Sequence, residues 1–275
     1  MAPPDAFFLP LQRGRRFCIR HAPEATAMRR GAILYVHPFA EEMNKSRRTA
    51  AIQSRALAEA GWAVLQMDLF GCGDSEGAFG EADWRQWHAD VADAAAWLRE
   101  QTGQAPSLWG LRAGCLLACQ VAEHMEPAPN LLLWQPPISG KQLLQQFLRM
   151  KVTSQILGET SSDRIGTQQL REQLTRGEAV EIAGYTLAPG LALGLEAAEL
   201  APPKARARVA WLEVGASAPA ELTPAARSRV QAWQTAGHQV DAKALNGAAF
   251  WQTQEIAECP ELVEATLAAV AEWRA

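Results

Sequence analysis

Apolar and polar positions alternate along this chain in blocks of two kinds. Short, largely apolar runs recur at Ala32–His37 (AILYVH), Trp62–Phe70 (WAVLQMDLF), Ser107–Leu111, Asn130–Trp134 (NLLLW) and Arg208–Val214 (RVAWLEV), and Gln239–Leu245 reads as the last strand. Apolar runs of this length predict strands buried on both faces, as in a parallel sheet. Between them lie longer stretches with apolar residues at helical spacing. The clearest is 83–100, where Trp84, Trp87, Val91, Ala94 and Leu98 share one face and Asp83 stands at the N-cap position. Helices are also predicted over 48–60, closed by Gly61, over 113–124, broken by Pro127 and Pro129, over 223–236, opened by Thr223-Pro224, and over 260–273. Phe7–Leu11 and Arg16–Arg20 read as a strand pair turned through Gln12-Arg13-Gly14. Strand and helix in alternation predict a parallel sheet with right-handed crossovers.

The alternation breaks near residue 140. Residues 141–157 and 191–200 read as helices, 178–187 as a short strand pair, and 158–177 as polar with Gly and Ser. An insertion here lies over the C-terminal ends of the strands. The expected division is a core of residues 1–137 and 204–275 with a cap insertion of 138–203.

Composition narrows the function classes. The chain has 275 residues, with 48% hydrophobic and 20% charged content, ordinary for a globular domain large enough to bury a sizeable core. A net charge of −4 gives no basic surface for nucleic acid or anionic membrane. No run is long enough to span a bilayer, and residues 1–11 lack the pattern of a signal peptide. Cys18, Cys72, Cys115, Cys119 and Cys259 are scattered without a CxxC pair. Their odd number argues against a disulfide framework or zinc site and leads to an expected cytoplasmic location. No metal-ligand cluster or phosphate-binding glycine loop is present, and no cofactor is expected.

Gly110-Leu111-Arg112-Ala113-Gly114 joins an apolar strand to a small-residue helix. Its spacing is that of the G-x-S-x-G turn that raises a nucleophile above the sheet in α/β-hydrolases, with Arg112 where the Ser stands. With the His37-Pro38 strand end, the Gly71–Gly77 turn and the interruption near 140, the chain resembles an α/β-hydrolase over essentially its whole length. The expected fold is α/β, an eight-strand, mostly parallel sheet with an inserted cap. A closer resemblance rests on His37–Arg48 (HPFAEEMNKSRR), Gly71-Cys72-Gly73-Asp74-Ser75, Gly110-Leu111-Arg112 and Phe250-Trp251-Gln252. These are similar to the second type of exosortase-A-system-associated hydrolase. That resemblance implies a role linked to exopolysaccharide or PEP-CTERM sorting systems and no established substrate.

An acyl-transfer triad needs a nucleophile on the elbow, a carboxylate after the penultimate strand and a His after the last. A guanidinium stays protonated, so Arg112 is neither nucleophile nor base. Gly215–Glu221 contains no Asp, and Glu221 is its nearest carboxylate. Asn246–Trp251 contains no His, and His238 precedes the last strand. The residues therefore favour loss of the triad. Replacement catalytic groups are few: His37, Cys72 and Ser75, set against plain roles as a strand-end His and turn residues. Cys115 and Cys119 fit core packing.

Arg112 has two readings. It pairs with Glu41 or Glu42 and braces the elbow, or its planar fork grips a carboxylate or phosphate. Ligand-lining candidates are Arg112, His37, Glu41, Glu42, Asn44, Arg48 and Gln135, with Phe250 and Trp251 as an apolar wall. The residues favour a binding protein for an anionic ligand, glycan or protein partner of the exopolysaccharide or exosortase system. The alternative is an ester or thioester hydrolase or acyltransferase using non-standard residues.

Overall fold

The computed structural model describes residues 3–24, 28–157, 166–216, 219–253, 255 and 257–273. In chain order the strands are β1 (Asp5–Leu11), β2 (Gly14–His21), β3 (Gly31–Val36), β4 (Trp62–Met67), β5 (Ser107–Leu111), β6 (Leu131–Trp134), β7 (Val180–Ile182), β8 (Tyr185–Leu187), β9 (Arg208–Gly215) and β10 (Gln239–Asn246). The helices are α1 (Glu41–Glu59), α2 (Trp84–Thr102), α3 (Ala113–Ala122), α4 (Gly140–Leu157), α5 (Thr167–Thr175), α6 (Pro189–Ala197), α7 (Pro224–Thr235) and α8 (Pro260–Val270).

Eight strands form one sheet in the order β1-β2-β4-β3-β5-β6-β9-β10. β1 pairs antiparallel with β2, and β2 antiparallel with β4; from β4 to β10 every pairing is parallel. This is the eight-strand, mostly parallel sheet of the α/β-hydrolase fold, as the resemblance implies. Period-2 geometry divides the inner strands between two cores. Leu34 and Val36 of β3 pack with α2 and α3 on one face, while Ile33 and Tyr35 pack with Trp62, Trp109, Trp134 and α8 on the other. Seven of the ten Trp are at most 3% exposed, so the tryptophan richness is mainly core packing.

The segment between β6 and β9 leaves the sheet and returns at one neck. There Ser139 bridges Glu199, and the Gly140 and Leu200 amides donate to the Ala198 and Ile138 carbonyls. Beyond the neck α4 packs on α6 and α5, with the β7–β8 hairpin beside it.

Two expectations change. The polar stretch 38–48 is not a loop, because α1 begins at Glu41, well before the predicted start at 48. Glu, Met, Lys and Arg are good helix formers, and Glu41 and Glu42 sit in the first turn, where the helix dipole favours negative charge. Within 158–177 a helix, α5, forms because Leu170 and Leu174, four residues apart, bury one face; the remainder, 158–165, lies outside the described residues. Asp83 caps α2 as expected, its carboxylate accepting from the Gln86 amide at 2.7 Å.

Candidate functional site

The site is built around the turn between β5 and α3. Arg112 has φ 53° and ψ −118°, a left-handed conformation a side chain adopts only under constraint. The constraint is visible on both sides. The Arg112 amide donates to the Trp134 carbonyl (3.0 Å), and the Arg112 carbonyl accepts from the Cys115 amide (2.9 Å). The flanking glycines permit the closeness. A Cβ on Gly110 would lie 2.5 Å from the Cys115 nitrogen, and one on Gly114 would lie 2.1 Å from the Val36 carbonyl oxygen. The elbow geometry is therefore intact around an arginine.

Arg112, 8% exposed, has its side chain held from three directions. Its Nε donates to Glu42 Oε1 at 3.2 Å, and Nη2 lies 3.2 Å from the same oxygen. Nη2 also donates to Gln146 Oε1 at 2.9 Å, and the guanidinium carbon stands 5.9 Å from the Trp251 ring centroid. Charge pairing, a cap-to-core hydrogen bond and a cation–π contact thus converge on one residue. Glu42 comes from the first turn of α1 and Gln146 from α4. Burial pushes the Glu42 carboxyl up, and the Arg112 guanidinium beside it only partly opposes this.

Above this pair opens a cleft of about 300 Å3 between α1 and α4. Phe39, Leu143, Phe147 and Met150 form apolar walls, with Glu41, Glu42, Lys45, Gln146 and Gln252 as the polar part. Phe39 and Phe147 meet edge to face at 5.1 Å, tying the cap to the core.

The other predicted site residues divide by position. Glu41 and Glu42 line the cleft. Phe250 and Trp251 are buried in the loop after β10, Phe250 against Trp134 and Trp251 against Arg112. Asn44 reaches toward the Tyr185 hydroxyl of the β7–β8 hairpin at 3.5 Å. Arg48 turns to Glu258 at the surface (2.6 Å) and away from the cleft lining. Gln135 is occupied in the sheet: its Oε1 accepts from the Val214 amide at 2.7 Å, bridging β6 and β9.

The three replacement catalytic candidates lie in a separate buried cluster. His37 Nε2 accepts from the Leu69 amide at 3.2 Å, which leaves Nδ1 as the donor to the Pro38 carbonyl at 2.7 Å. Both ring nitrogens are therefore in use. Ser75 Oγ donates to the Asp68 carbonyl (2.5 Å) and accepts from the Phe17 amide (2.9 Å), the pattern of a turn lock. Cys72 is buried, and desolvation pushes its thiol far above the ordinary range, away from thiolate reactivity. Cys115 is driven up in the same way.

At the carboxylate position, Glu221 is exposed and pairs with Arg227 on α7. The buried carboxylate there is Glu213 inside β9, which sequence reasoning passed over. Its oxygens accept from Trp211 Nε1 (3.0 Å) and the Thr223 amide (3.2 Å). The signal was a lone carboxylate inside the run RVAWLEV. His238 lies at the start of β10, accepting from the Ala207 amide through Nδ1. Gln146 was also missed, since nothing in α4 marks it as facing residue 112. Among the described residues, no group of three or more His, Cys, Asp or Glu is placed to hold a metal, and no helix is long and apolar enough to cross a membrane.

Burial lowers the pKa of four histidines: His21, His37, His88 and His238. The unfolded chain takes up protons at these rings as pH falls through about 6.5, while the folded chain resists them. Folding stability from these groups is therefore complete above that pH and declines below it. Glu42 and Asp93, raised by burial, oppose part of this effect. Urea unfolding is expected to show a lower midpoint at pH 5.5 than at pH 7.5. His37→Gln, which keeps a polar side chain without the imidazole titration, is expected to flatten that slope.

Comparison with known proteins places this geometry in context. Residues 27–182 match the Hydrolase_4 family model, described as serine aminopeptidase, S33. No curated protein matches the sequence. Among solved structures, the ferulic-acid complex of Est1E from Butyrivibrio proteoclasticus is similar with a TM-score of 0.68 at 14% identity, covering 98% of this chain and 99% of that one. A thermostable carboxyl esterase from Bacillus coagulans, in complex with glycerol, gives 0.63 at 12% identity, covering 99% of each chain. The thioesterase domain from the curacin biosynthetic pathway gives 0.53 at 13% identity, covering 98% of this chain and 99% of that one. At these identities the likenesses establish the fold.

Proposed function

The chain belongs to the Hydrolase_4 family of serine aminopeptidases, S33, and from that premise we propose that it is a member that binds and does not hydrolyse. Its ligand is an anionic small molecule, glycan-related or not, held in the cleft between α1 and α4. The setting is the exopolysaccharide and exosortase-linked envelope machinery, on the resemblance carried by His37–Arg48, Gly71–Ser75, Gly110–Arg112 and Phe250–Gln252.

One observation carries this reading. At the point of the elbow, where the fold presents a nucleophile, stands a guanidinium with no lone pair to offer and two internal partners, Glu42 and Gln146. Two further features support it. Phe250 and Trp251 fill the place of the triad His, and His37, Ser75 and Cys72 are committed to backbone contacts or buried as neutral groups. The cleft itself has the volume and the mixture of apolar wall and few polar groups typical of small-molecule sites.

A second reading, ester or thioester hydrolysis, draws on the esterase and thioesterase structures that share the fold. Assays separate the two. Purified protein at micromolar concentration, given p-nitrophenyl butyrate, p-nitrophenyl decanoate and decanoyl-CoA, is expected to give no turnover above buffer. Turnover that survives repurification and is lost on substituting His37, Cys72 or Ser75 establishes the hydrolase reading instead.

A further inference from the structure

Arg112 is already holding a carboxylate, and that carboxylate belongs to the chain. Glu42 presents its carboxylate to Nε and Nη2, at 3.2 Å from each to Oε1 and 3.4 Å from Nε to Oε2. The contact resembles the one a guanidinium makes with a ligand acid. Glu42 and Gln146 both line the cleft, and Arg112, outside the lining itself, lies directly behind them. The space in front is walled by Phe39, Leu143, Phe147 and Met150. A molecule following these walls inward meets Glu42 with its leading end, and Arg112 stands behind that carboxylate.

We propose that the cleft takes an amphiphilic monocarboxylate, with its apolar body between Phe39, Leu143, Phe147 and Met150, and that Glu42 is an internal stand-in occupying the ligand's place on Arg112. This rests on the binding reading above and names its ligand class. The ligand carboxylate displaces Glu42 from the guanidinium, and the released Glu42 side chain turns into the cleft mouth beside Lys45, another residue of the lining. Gln146 keeps its hydrogen bond to Nη2, so α4 stays tied to the elbow through the exchange. No covalent step is involved. The resting chain therefore has weakened affinity for its own ligand, because binding must first break an internal pair. A chain lacking Glu42 has an open cation in its place.

The competition is directly measurable. Decanoate and decylamine are titrated into the wild-type protein, Glu42→Ala and the double variant Glu42→Ala/Arg112→Met. Isothermal calorimetry reads affinity, and the thermal midpoint with and without ligand serves as a second readout. Glu42→Ala is expected to bind decanoate at least tenfold more tightly than the wild type, and to gain more thermal stability from it. The double variant is expected to lose that gain, and decylamine is expected to show no such increase in any protein.

The inference is overturned if Glu42→Ala binds decanoate no more tightly than the wild type. It is overturned equally if the gain persists without Arg112, or if decylamine gains as much. Should Glu42→Ala prove too unstable to purify, Glu42→Gln replaces it, with the same order of affinities expected at smaller amplitude. Absence of decanoate binding to wild type and variants alike overturns the ligand class and leaves the non-catalytic reading standing. Turnover of decanoyl-CoA by the wild type overturns the non-catalytic reading and leaves the place of the carboxylate as a separate result.

Discussion

Asp90→Ala is expected to lower folding stability by about 3–5 kcal/mol, the cost of leaving a buried charge without its partner. Arg16 and Asp90 are both fully buried and meet through two parallel hydrogen bonds, Nε to Oδ2 at 2.8 Å and Nη2 to Oδ1 at 2.9 Å. The carboxylate also accepts from the Phe70 amide (2.8 Å) and from Gln86 Nε2 (2.7 Å). Removing it strands a guanidinium, a backbone amide and a side-chain amide at once. The pair joins β2 to α2 and fastens the start of the 68–78 turn. Urea unfolding at pH 7.5 gives the measurement. Arg16→Met/Asp90→Leu, which removes both charges and keeps apolar volume, is expected to recover the part of the loss that comes from the stranded guanidinium, while the Phe70 amide and Gln86 stay without their acceptor. A cost below about 1 kcal/mol for Asp90→Ala is what a surface pair would give, and would mean that water reaches this site.

Gly114→Val is expected to prevent the elbow from closing. Even the first added carbon lies 2.1 Å from the Val36 carbonyl oxygen and 2.8 Å from that of His37. These are backbone atoms of the β3 end, and no rotamer change relieves them. Overpacked cores usually lose about 1–3 kcal/mol, and more where backbone must move. Gly114→Val belongs at or above the top of that range, with little folded protein recovered from expression. Gly103→Ala makes a useful contrast. Its Cβ meets nothing within 4 Å, so only the positive φ of the α2 C-cap, +73°, is strained. The expected cost there is about 1 kcal/mol.

Much of this architecture was legible in the order of residues, and for a physical reason. Parallel strands buried on both faces must be apolar throughout, so AILYVH, NLLLW and RVAWLEV stand out against their surroundings. The elbow was legible because its glycines are forced by contact distances, whatever residue sits between them. The start of α1 was hidden for a different reason. In Glu41–Arg48 only Met43 is apolar, so no hydrophobic period marks the helix, although the helix-forming residue types do. α5 offered only Leu170 and Leu174 as a buried stripe.

The site was half legible. Pairing of Arg112 with a glutamate follows from the cost of burying a lone charge, but the choice of Glu42 over Glu41 depends on where α1 begins. Its second partner could not be read at all. Gln146 is 34 residues away in sequence, and its contact depends on how the cap lies on the core. Arg48 and Gln135 show the reverse case. Each looked placed for a ligand, and each is engaged elsewhere, by Glu258 and by the Val214 amide. The charged run at 41–48 was expected to face the crevice as one loop. As a helix it sends successive side chains in different directions, so Glu41, Glu42 and Lys45 line the cleft while Arg48 does not.

Whether the elbow does covalent chemistry can be read as a mass. An acyl-transfer enzyme with a working nucleophile acquires an adduct from a fluorophosphonate probe, or accumulates an acyl-enzyme from a slowly hydrolysed thioester. Intact-mass spectrometry of the folded protein, after incubation with a fluorophosphonate and separately with decanoyl-CoA, is expected to show the unmodified chain of 29.9 kDa in both. A stoichiometric adduct on a single Ser or Cys, absent from heat-denatured controls, would contradict a binding protein built on the Arg112 elbow and return this chain to the hydrolases.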